Sequence, residues 1–292
     1  MTYFSETDLI INPDGSSYHL NLRPDQIPDR IILVGDPERV PFVSQYFDRV
    51  DTKITKREFV SHVGELNGER IGVISSGIGA DNVEIVLTEL DALVNIDLQT
   101  RQEKPSKKCL ELIRIGTSGS IQASIPVDAY LLSTAAIGFD NLGQFYDFDS
   151  ALMLNQSALD NWASKIKYPI PVYGAQGSSH LKQLFSTIPF QGFTLTAPGF
   201  YAPQGRKIRM KSMLPNFLSE VSETKFDGEI ICNIEMETAA YYAFAASLGH
   251  EMISLNAILA NRITHEFSKN PEGQIRGLIE LALDRIASHN RP

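Results

Sequence analysis

Residues 71–94 read IGVISSGIGADNVEIVLTELDALV, and they place a β-branched run, a glycine turn and a helical pattern directly one after another. The run at 71–75 predicts a buried strand, because such strands are short and rich in branched apolar residues. Beyond Gly79 the apolar residues recur at helical spacing, and Asp81 is predicted to cap the helix that they indicate. A strand followed in this way by a helix is the building unit of an α/β fold.

The same alternation continues on both sides of this stretch. Further strands are predicted at residues 31–34, 112–115, 128–133 and 253–259. Residues 237–248 are apolar nearly all round and predict a buried helix, while Asn270 and Pro271 open a last amphipathic helix. We therefore expect an α/β fold with a largely parallel or mixed sheet.

The composition limits the kinds of partner that the protein can have. Among its 292 residues 26 are basic and 35 acidic, which gives a formal net charge of -9. Such a surface disfavours nucleic acid polymers and anionic membranes, both of which attract basic proteins. A small anion can still bind, provided that arginines or lysines cluster locally around it.

The chain as a whole has the features of a single intracellular unit. Cys109 and Cys232 are its only cysteines, which is neither a disulfide framework nor a zinc pattern. No signal-peptide pattern opens the sequence, and no apolar run reaches the roughly 20 residues that span a bilayer, so a cytoplasmic protein is expected. We predict one domain over residues 1–292, with an irregular arm at 1–30 and a solvated surface insertion at 99–108.

Three predicted strands lead into glycine, which lets a ligand approach the backbone closely. The segments are GDPER at 35–39, SGIG at 76–79 and GTSG at 116–119. In an open α/β fold, ligands collect at the carboxyl ends of the strands, and Arg39 and Arg114 lie on or beside these ends. Taken alone, each segment is more often an ordinary turn. None matches the dinucleotide fingerprint or the phosphate loop of nucleotide triphosphatases, which argues against both classes.

Two other stretches carry groups suited to a sugar and a planar base. Glu235 and Glu237 stand at the head of the predicted buried helix, where they would either cap it or accept hydrogen bonds from sugar hydroxyls. The loop FYAPQGR at 200–206 combines aromatic rings with the Gln204 amide and the Arg206 guanidinium. An amide donates and accepts hydrogen bonds, a guanidinium only donates, and a ring can stack on a base. The loop therefore suits a heterocycle with carbonyl oxygens, although such a pattern is more often a plain surface loop.

Several motifs follow one another along the chain: GDPERV, REF, SSGIGADN, RIGTSGSIQ, FYAPQGR, NIEMETA and LANR. In this order they resemble the nucleoside phosphorylase family. The resemblance runs from about His19 to the last helix. GDPERV and RIGT are similar to the whole family, including its bacterial-type purine enzymes, whereas Phe-Tyr with Gln-x-Arg is similar to the uridine-specific branch. The resemblance implies a three-layer αβα sandwich with a central mixed, partly barrel-like sheet. It also implies a pentosyltransferase that converts uridine and phosphate reversibly to uracil and ribose 1-phosphate, in pyrimidine salvage or catabolism.

The resemblance further implies roles for individual residues. Phosphate, as co-substrate, would be bound by Gly35, Arg39, Arg57, Arg114 and Thr117. Ribose would contact His19, Thr117, Met236 and Glu237, and the base would contact Phe200, Gln204, Arg206, Ser118 and Gly119. Catalysis would rest on Arg206, Gln204, Glu237 and Arg114. His19 and Arg57 would reach into the site of a neighbouring subunit, so that a homodimer is the minimal unit and a hexamer of three dimers the larger alternative.

No organic cofactor is implied, but Glu58 is similar to a family residue that helps to bind a monovalent cation such as K⁺. The chain departs from the family pattern at Asn82, which stands where a serine cation ligand is usual. It also departs at Pro203 and Gly205, which flank Gln204 and could broaden the choice of base.

Other activities remain open on the sequence. A purine or broad-specificity nucleoside phosphorylase is the nearest alternative, although Asn261 stands where the bacterial-type purine enzymes place an acid, and an amide cannot protonate a base. A nucleosidase would use water and would not need Arg39, Arg57 and Arg114 together. A non-catalytic nucleoside-binding protein would be expected to lack part of this arginine set.

Overall fold

In the computed structural model, which describes residues 3–289, strands and helices alternate along most of the chain. The strands are β1 (Arg30–Val34), β2 (Arg49–Lys56), β3 (Phe59–Leu66), β4 (Glu69–Ser75), β5 (Ile96–Asp97), β6 (Gln102–Glu103), β7 (Glu111–Ser120), β8 (Tyr130–Gly138), β9 (Tyr173–Gln176), β10 (Phe190–Thr196), β11 (Ile231–Glu235), β12 (Glu251–Asn261) and β13 (Glu266–Phe267). The helices are α1 (Arg39–Ser44), α2 (Ala80–Asn95), α3 (Gln156–Lys165), α4 (Ser179–Leu184), α5 (Phe217–Glu223), α6 (Thr238–Leu248) and α7 (Pro271–His289). Single 3-10 turns lie at Pro24–Gln26, Leu142–Gln144 and Ala202–Gln204.

A mixed sheet of eleven strands closes partly on itself. Strands β7, β12, β8, β10 and β11 form a closed barrel, because β7 pairs with β12 on one side and with β11 on the other. From β7 the sheet continues outward through β1, β4, β3 and β2. Pairing is parallel from β7 to β1 and from β1 to β4, and antiparallel between β7 and β11. The expected mixed, partly barrel-like sheet is confirmed.

Helices cover both faces of the sheet. Successive residues of a strand point to opposite faces; accordingly, Ile31 and Leu33 of β1 pack with α2 and α6, whereas Ile32 and Val34 pack with α1, α4 and α7. All four side chains are fully buried, and each contributes roughly 1.5–3 kcal/mol of burial free energy. The three-layer αβα arrangement is therefore confirmed as well.

Two local predictions are wrong. The strand expected at 112–115 does not end at Gly116 but continues as β7 to Ser120, because β11 and β12 pair with its later residues. Asp81 does not cap α2: Gly79 precedes the helix with a φ of 100°, and Asp81 lies in the first turn. At that φ a side chain would be strained, so glycine opens the helix for conformational reasons. In α7 the expectation holds, since Asn270 Oδ1 accepts from the Gly273 backbone N–H at 3.1 Å.

The amino-terminal arm lies against the segment predicted as an insertion. Tyr3 forms a backbone bridge with Gln102, and the Arg101 guanidinium donates to the carbonyl oxygens of Phe4, Ser5 and Leu9. Part of 99–108 therefore holds the arm in place and is not simply a solvated loop. Within residues 3–289, no helix is both long enough and apolar enough to cross a membrane.

Candidate active site

A cavity of about 710 Å³ opens at the carboxyl ends of β1, β4, β7 and β11. Twelve of the residues predicted for the site lie in its wall: Gly35, Arg39, Glu58, Arg114, Thr117, Ser118, Gly119, Phe200, Gln204, Arg206, Met236 and Glu237. They come from segments far apart in the sequence. The fold thus collects the predicted phosphate, ribose and base residues around one space.

Arg114 occupies the middle of β7, and its guanidinium folds back over Gly116. A Cβ at Gly116 would lie 2.0 Å from Arg114 Nη1, so only glycine leaves room for the charged group. The guanidinium is 3.1 Å from a Glu235 carboxylate oxygen and 2.5 Å from one of Glu237. Burial lowers the pKa of Arg114, but these carboxylates outweigh it, and the net pKa lies above the usual value. Arg114 therefore stays positively charged.

Arg39 brings a second positive charge to the same end of the cavity. It begins α1, and its Nη1 donates to the Ile115 carbonyl at 3.2 Å. Burial is the main cause that lowers the pKa of Arg39 to about 10; Asp36 opposes the shift, and the charge of Arg114 adds to it. Arg39 forms no ion pair within residues 3–289 and lies close enough to Arg114 for their charges to interact, so its guanidinium is available to a bound anion. Thr117 adds a hydroxyl beside them.

The acidic residues at the head of α6 divide the two roles that the sequence left open. Glu235 is the cap: its carboxylate accepts from the backbone N–H groups of Glu237 and Thr238 at 3.0 Å, and from Thr196 Oγ1 at 2.7 Å. Glu237 does not cap the helix with its side chain. Its carboxylate accepts from Gly79 N–H at 2.8 Å and from Arg114, and burial raises its pKa although Arg114 opposes the shift. Both acids line the cavity and contact Arg114, but only Glu237 keeps its carboxylate out of the helix cap.

The opposite end of the cavity is formed by the loop that contains Gln204 and Arg206. The Arg206 guanidinium stacks 3.7 Å from the centre of the Phe200 ring, and it donates to Gln204 Oε1 at 2.6 Å. Gln204 is almost fully buried, and its amide N–H groups have no partner within residues 3–289. The free N–H groups of Gln204 add to the donors that Arg206 supplies. This end therefore suits a ligand that carries hydrogen-bond acceptors.

Arg262 is a residue of this region that the sequence argument missed. It follows the end of β12 and donates to the Gln204 backbone carbonyl at 3.2 Å. Burial, and then the charge of Arg262, lower the pKa of Arg206 to about 10. Arg262 is the last residue of the LANR motif, so the sequence did mark its position. Its contact with the 200–206 loop, however, follows only from the packing of β12 against that loop.

His19 and Arg57 do not line the cavity. The imidazole Nδ1 of His19 lies 2.7 Å from Glu89 Oε1, and the same carboxylate accepts from the backbone N–H groups of His19 and Leu20. Arg57 is exposed in the turn between β2 and β3, where its φ is 54°, and it has no ion pair within the described residues. Their roles in a neighbouring subunit stay predictions.

Glu58 lies at the cavity wall and is exposed. Asn82 is close to it, since a side chain on Gly77 would touch both residues. Within residues 3–289, no three His, Cys, Asp or Glu side chains are grouped as a metal site would need. A cation at Glu58 therefore stays a prediction.

Known proteins resemble this chain over nearly its full length. A model of the phosphorylase superfamily matches residues 29–279. The uridine phosphorylase of Thermococcus kodakarensis is 27% identical over 262 residues, which cover 89% of this chain and 82% of that protein. A DeoD-type purine nucleoside phosphorylase of Oceanobacillus iheyensis is 25% identical over 275 residues, 92% of this chain and 99% of that protein. Among solved structures, a Trypanosoma brucei nucleoside phosphorylase that shows uridine phosphorylase activity is similar at a TM-score of 0.85 and 28% identity, over 96% of this chain and 100% of that one.

Proposed function

The chain belongs to the phosphorylase superfamily, and we propose that it cleaves uridine with inorganic phosphate to give uracil and ribose 1-phosphate. One observation carries the proposal. A single cavity is lined by two arginines, by a buried glutamate that contacts one of them, and by donor groups beside an aromatic ring. These three parts match the phosphate, base and ribose of the reaction in number and in chemistry.

Phosphate would bind between Arg39 and Arg114, next to Gly35 and the Thr117 hydroxyl. Arginine suits this role, because its planar group forms charge-assisted and often bidentate hydrogen bonds with phosphate oxygens. Arg57 of a neighbouring subunit would complete the set. Phosphate so held would lie beside the sugar and below its anomeric carbon.

Ribose would lie over Met236, with its hydroxyls donating to the Glu237 carboxylate. In the structure Glu237 accepts from Arg114 and Gly79. A carboxylate accepts several hydrogen bonds, so sugar hydroxyls and Arg114 can share it. His19 of the neighbouring subunit would contact the far end of the sugar.

The base would leave as an anion. The bond from the anomeric carbon to the base nitrogen breaks with its electron pair on the base, and a phosphate oxygen forms the new bond to that carbon. The negative charge spreads to the carbonyl oxygens of uracil, where Arg206 and Gln204 would donate. These donors act on charge that develops during the reaction, which is how preorganised groups accelerate a chemical step. No organic cofactor is needed for this chemistry, and Glu58 would at most help to bind a monovalent cation.

A purine nucleoside is the alternative substrate, since the chain is similar to a purine enzyme over most of its length. Asn261 argues against it. Its Oδ1 accepts from Ile263 and Thr264 N–H, and its Nδ2 donates to the carbonyls of Gln122 and Ile125. The side chain is buried and fully occupied, so it neither protonates a purine nor contacts one.

Two chains would be required if His19 and Arg57 complete a neighbour's site. We propose a homodimer as the minimal unit, with a hexamer of three dimers as the larger form. A cytoplasmic enzyme of pyrimidine nucleoside salvage or catabolism is the corresponding role in the cell.

Turnover of uridine with and without phosphate tests the proposal, with inosine as the comparison substrate. We expect uracil to form only when phosphate is present, and ribose 1-phosphate to appear in equal amount. Uracil formed equally well without phosphate would identify a nucleosidase, and faster cleavage of inosine would identify a purine enzyme. Binding of uridine without turnover under either condition would identify a non-catalytic binding protein.

A further inference from the structure

A row of buried polar side chains crosses the interior of the closed barrel. All five strands of the barrel contribute: β7, β12, β8, β10 and β11. We call this row the polar belt, and its members are Arg114, Asn256, Ser133, Thr194, Asn233 and Ser118. Each is at most 9% exposed, and the four between the end members are completely buried. Only the two end members, Arg114 and Ser118, line the cavity.

Hydrogen bonds connect the polar belt without a gap. From Arg114, Nη1 donates to Asn256 Oδ1 at 3.3 Å, and Asn256 Nδ2 donates to Ser133 Oγ at 3.1 Å. Ser133 Oγ lies 2.5 Å from Thr194 Oγ1, and Thr194 Oγ1 donates to Asn233 Oδ1 at 2.8 Å. Asn233 Nδ2 then donates to Ser118 Oγ at 2.8 Å.

The hydrogen bonds of the polar belt are satisfied together when every member donates in the direction from Arg114 to Ser118. Arg114 has no acceptor atom, so it must donate to the Asn256 oxygen, and the Asn256 amide must then donate to Ser133. A hydroxyl has one proton. Because Ser133 Oγ accepts from Asn256, its proton is free for Thr194, and Thr194 then donates its own proton to Asn233. Asn233 is fixed in turn with its nitrogen toward Ser118.

Ser118 stands at the end of this chain. Its oxygen accepts from Asn233, and its own proton has no acceptor among residues 3–289. Because Ser118 lines the cavity, that proton is available to a ligand there. A buried polar row costs free energy unless every member is satisfied, and a satisfied row is rigid. The row therefore favours one orientation of the Ser118 hydroxyl.

We propose that the polar belt is a positioning network for the active site. Arg114 at one end sets the direction in which the row donates, and at the other end the row makes the Ser118 hydroxyl a hydrogen-bond donor toward the base. The substrate class that fits is a nucleoside whose base presents an acceptor oxygen to Ser118. The identification of these two ends rests on the proposed function.

Thr194→Val tests the proposal at a residue that touches neither end. Valine has nearly the same shape but lacks the hydroxyl. Asn233 Oδ1 then loses its donor, so the amide can turn over and accept the Ser118 proton. We expect kcat/KM for uridine to fall about fivefold, the size of one lost neutral hydrogen bond. Thr194→Ser retains the hydroxyl and should restore the wild-type value.

A double variant separates positioning from general damage. If Thr194 acts through Ser118, then Thr194→Val should have no further effect in a Ser118→Ala background. Ser120→Ala is the matched control, because it removes a buried hydroxyl of β7 that lies outside the polar belt, and kinetics close to wild type are expected for it. Melting temperatures of all variants show that the compared proteins are folded.

A Thr194→Val enzyme within about twofold of wild type, or an equal loss in the Ser118→Ala background, overturns the proposal. Should Thr194→Val fail to fold, Asn233→Ala takes its place with the same two expectations. Uridine turnover by the wild-type protein tests the proposed function by itself. The polar belt is tested by the ratios of kcat/KM between variants, measured on whichever nucleoside the wild-type protein cleaves.

Discussion

Arg114 Nη2 lies 2.5 Å from Glu237 Oε2, and the two residues are 123 positions apart in the sequence. Both are nearly buried, at 4% and 6% exposure. Their contact joins the parts of the cavity that are proposed to hold phosphate and ribose. Removing one partner of a buried ion pair leaves the other charge uncompensated, so the pair is sensitive to substitution.

Glu237→Gln should lower kcat/KM for uridine at least about tenfold, because the amide loses the charge that holds Arg114 and accepts sugar hydroxyls. The loss should be smaller for 2′-deoxyuridine, which lacks one of those hydroxyls. Steady-state kinetics on both nucleosides measure the difference. Equal losses on the two substrates would contradict the contact between Glu237 and the missing hydroxyl.

Gly116→Ala should raise the KM for phosphate at least about tenfold, because the new methyl group displaces the Arg114 guanidinium from its charge-assisted contacts. The added Cβ would lie 2.0 Å from Arg114 Nη1. Gly72→Ala in β4 is the control, since its Cβ would meet the Pro28 ring at 3.1 Å and the His62 carbonyl oxygen at 3.8 Å, neither of which lines the cavity. Unchanged phosphate saturation in the first variant would show that Arg114 does not bind phosphate.

Arg206→Ala should lower kcat/KM for uridine by at least about tenfold, a modest figure for one lost preorganised donor. Lys207→Ala removes an equal charge from the exposed neighbouring side chain and should leave the rate nearly unchanged. Both variants are compared at saturating phosphate. A near-wild-type rate for Arg206→Ala would rule out its proposed role at the leaving base.

Mixing two variants of low activity tests whether the site is shared between subunits. Arg57→Ala and Arg206→Ala, unfolded together and refolded in equal amounts, should regain about a quarter of wild-type activity, because mixed dimers contain one intact site. Arg114→Ala mixed with Arg206→Ala should regain none, since both residues line the cavity of the same chain. If the first mixture also regains none, Arg57 does not act across a dimer.

Asp140→Asn should stabilise the protein at neutral pH. Asp140 is 4% exposed and accepts from Tyr173 Oη at 2.9 and 2.8 Å; burial raises the pKa of its carboxyl, while the hydrogen bond from Tyr173 opposes the shift. An acid whose folded pKa is raised loses stability as the pH rises from the unfolded pKa through the folded one. The amide does not titrate and can still accept from Tyr173.

Urea unfolding at pH 7 and near pH 4 measures this effect. The free energy of unfolding of Asp140→Asn should exceed that of the wild type at pH 7, and the gap should narrow on acidification. Asp284→Asn, an exposed change on α7, should show little difference at either pH. A gap that widens toward low pH would contradict the raised pKa.

Much of the fold could be predicted from local pattern. The strands at 31–34 and 71–75 and the helix opened by Asn270 were found as expected, because burial period and capping act within a few residues. The end of β7 was not predictable in this way. Its glycines are typical of a turn, but pairing with β11 and β12 keeps them in the sheet.

The candidate site was likewise predictable only in part. Sequence alone determined which chemical groups are present and in what order: the arginines, the Gln-x-Arg loop and the acids before α6. Only the tertiary structure decided that Glu235 caps the helix although both Glu235 and Glu237 contact Arg114, that Arg262 contacts the 200–206 loop, and that Ser118 is left as a donor. Each of these outcomes depends on contacts between residues far apart in the sequence. A local sequence pattern cannot predict which of two similar side chains will contact a distant partner.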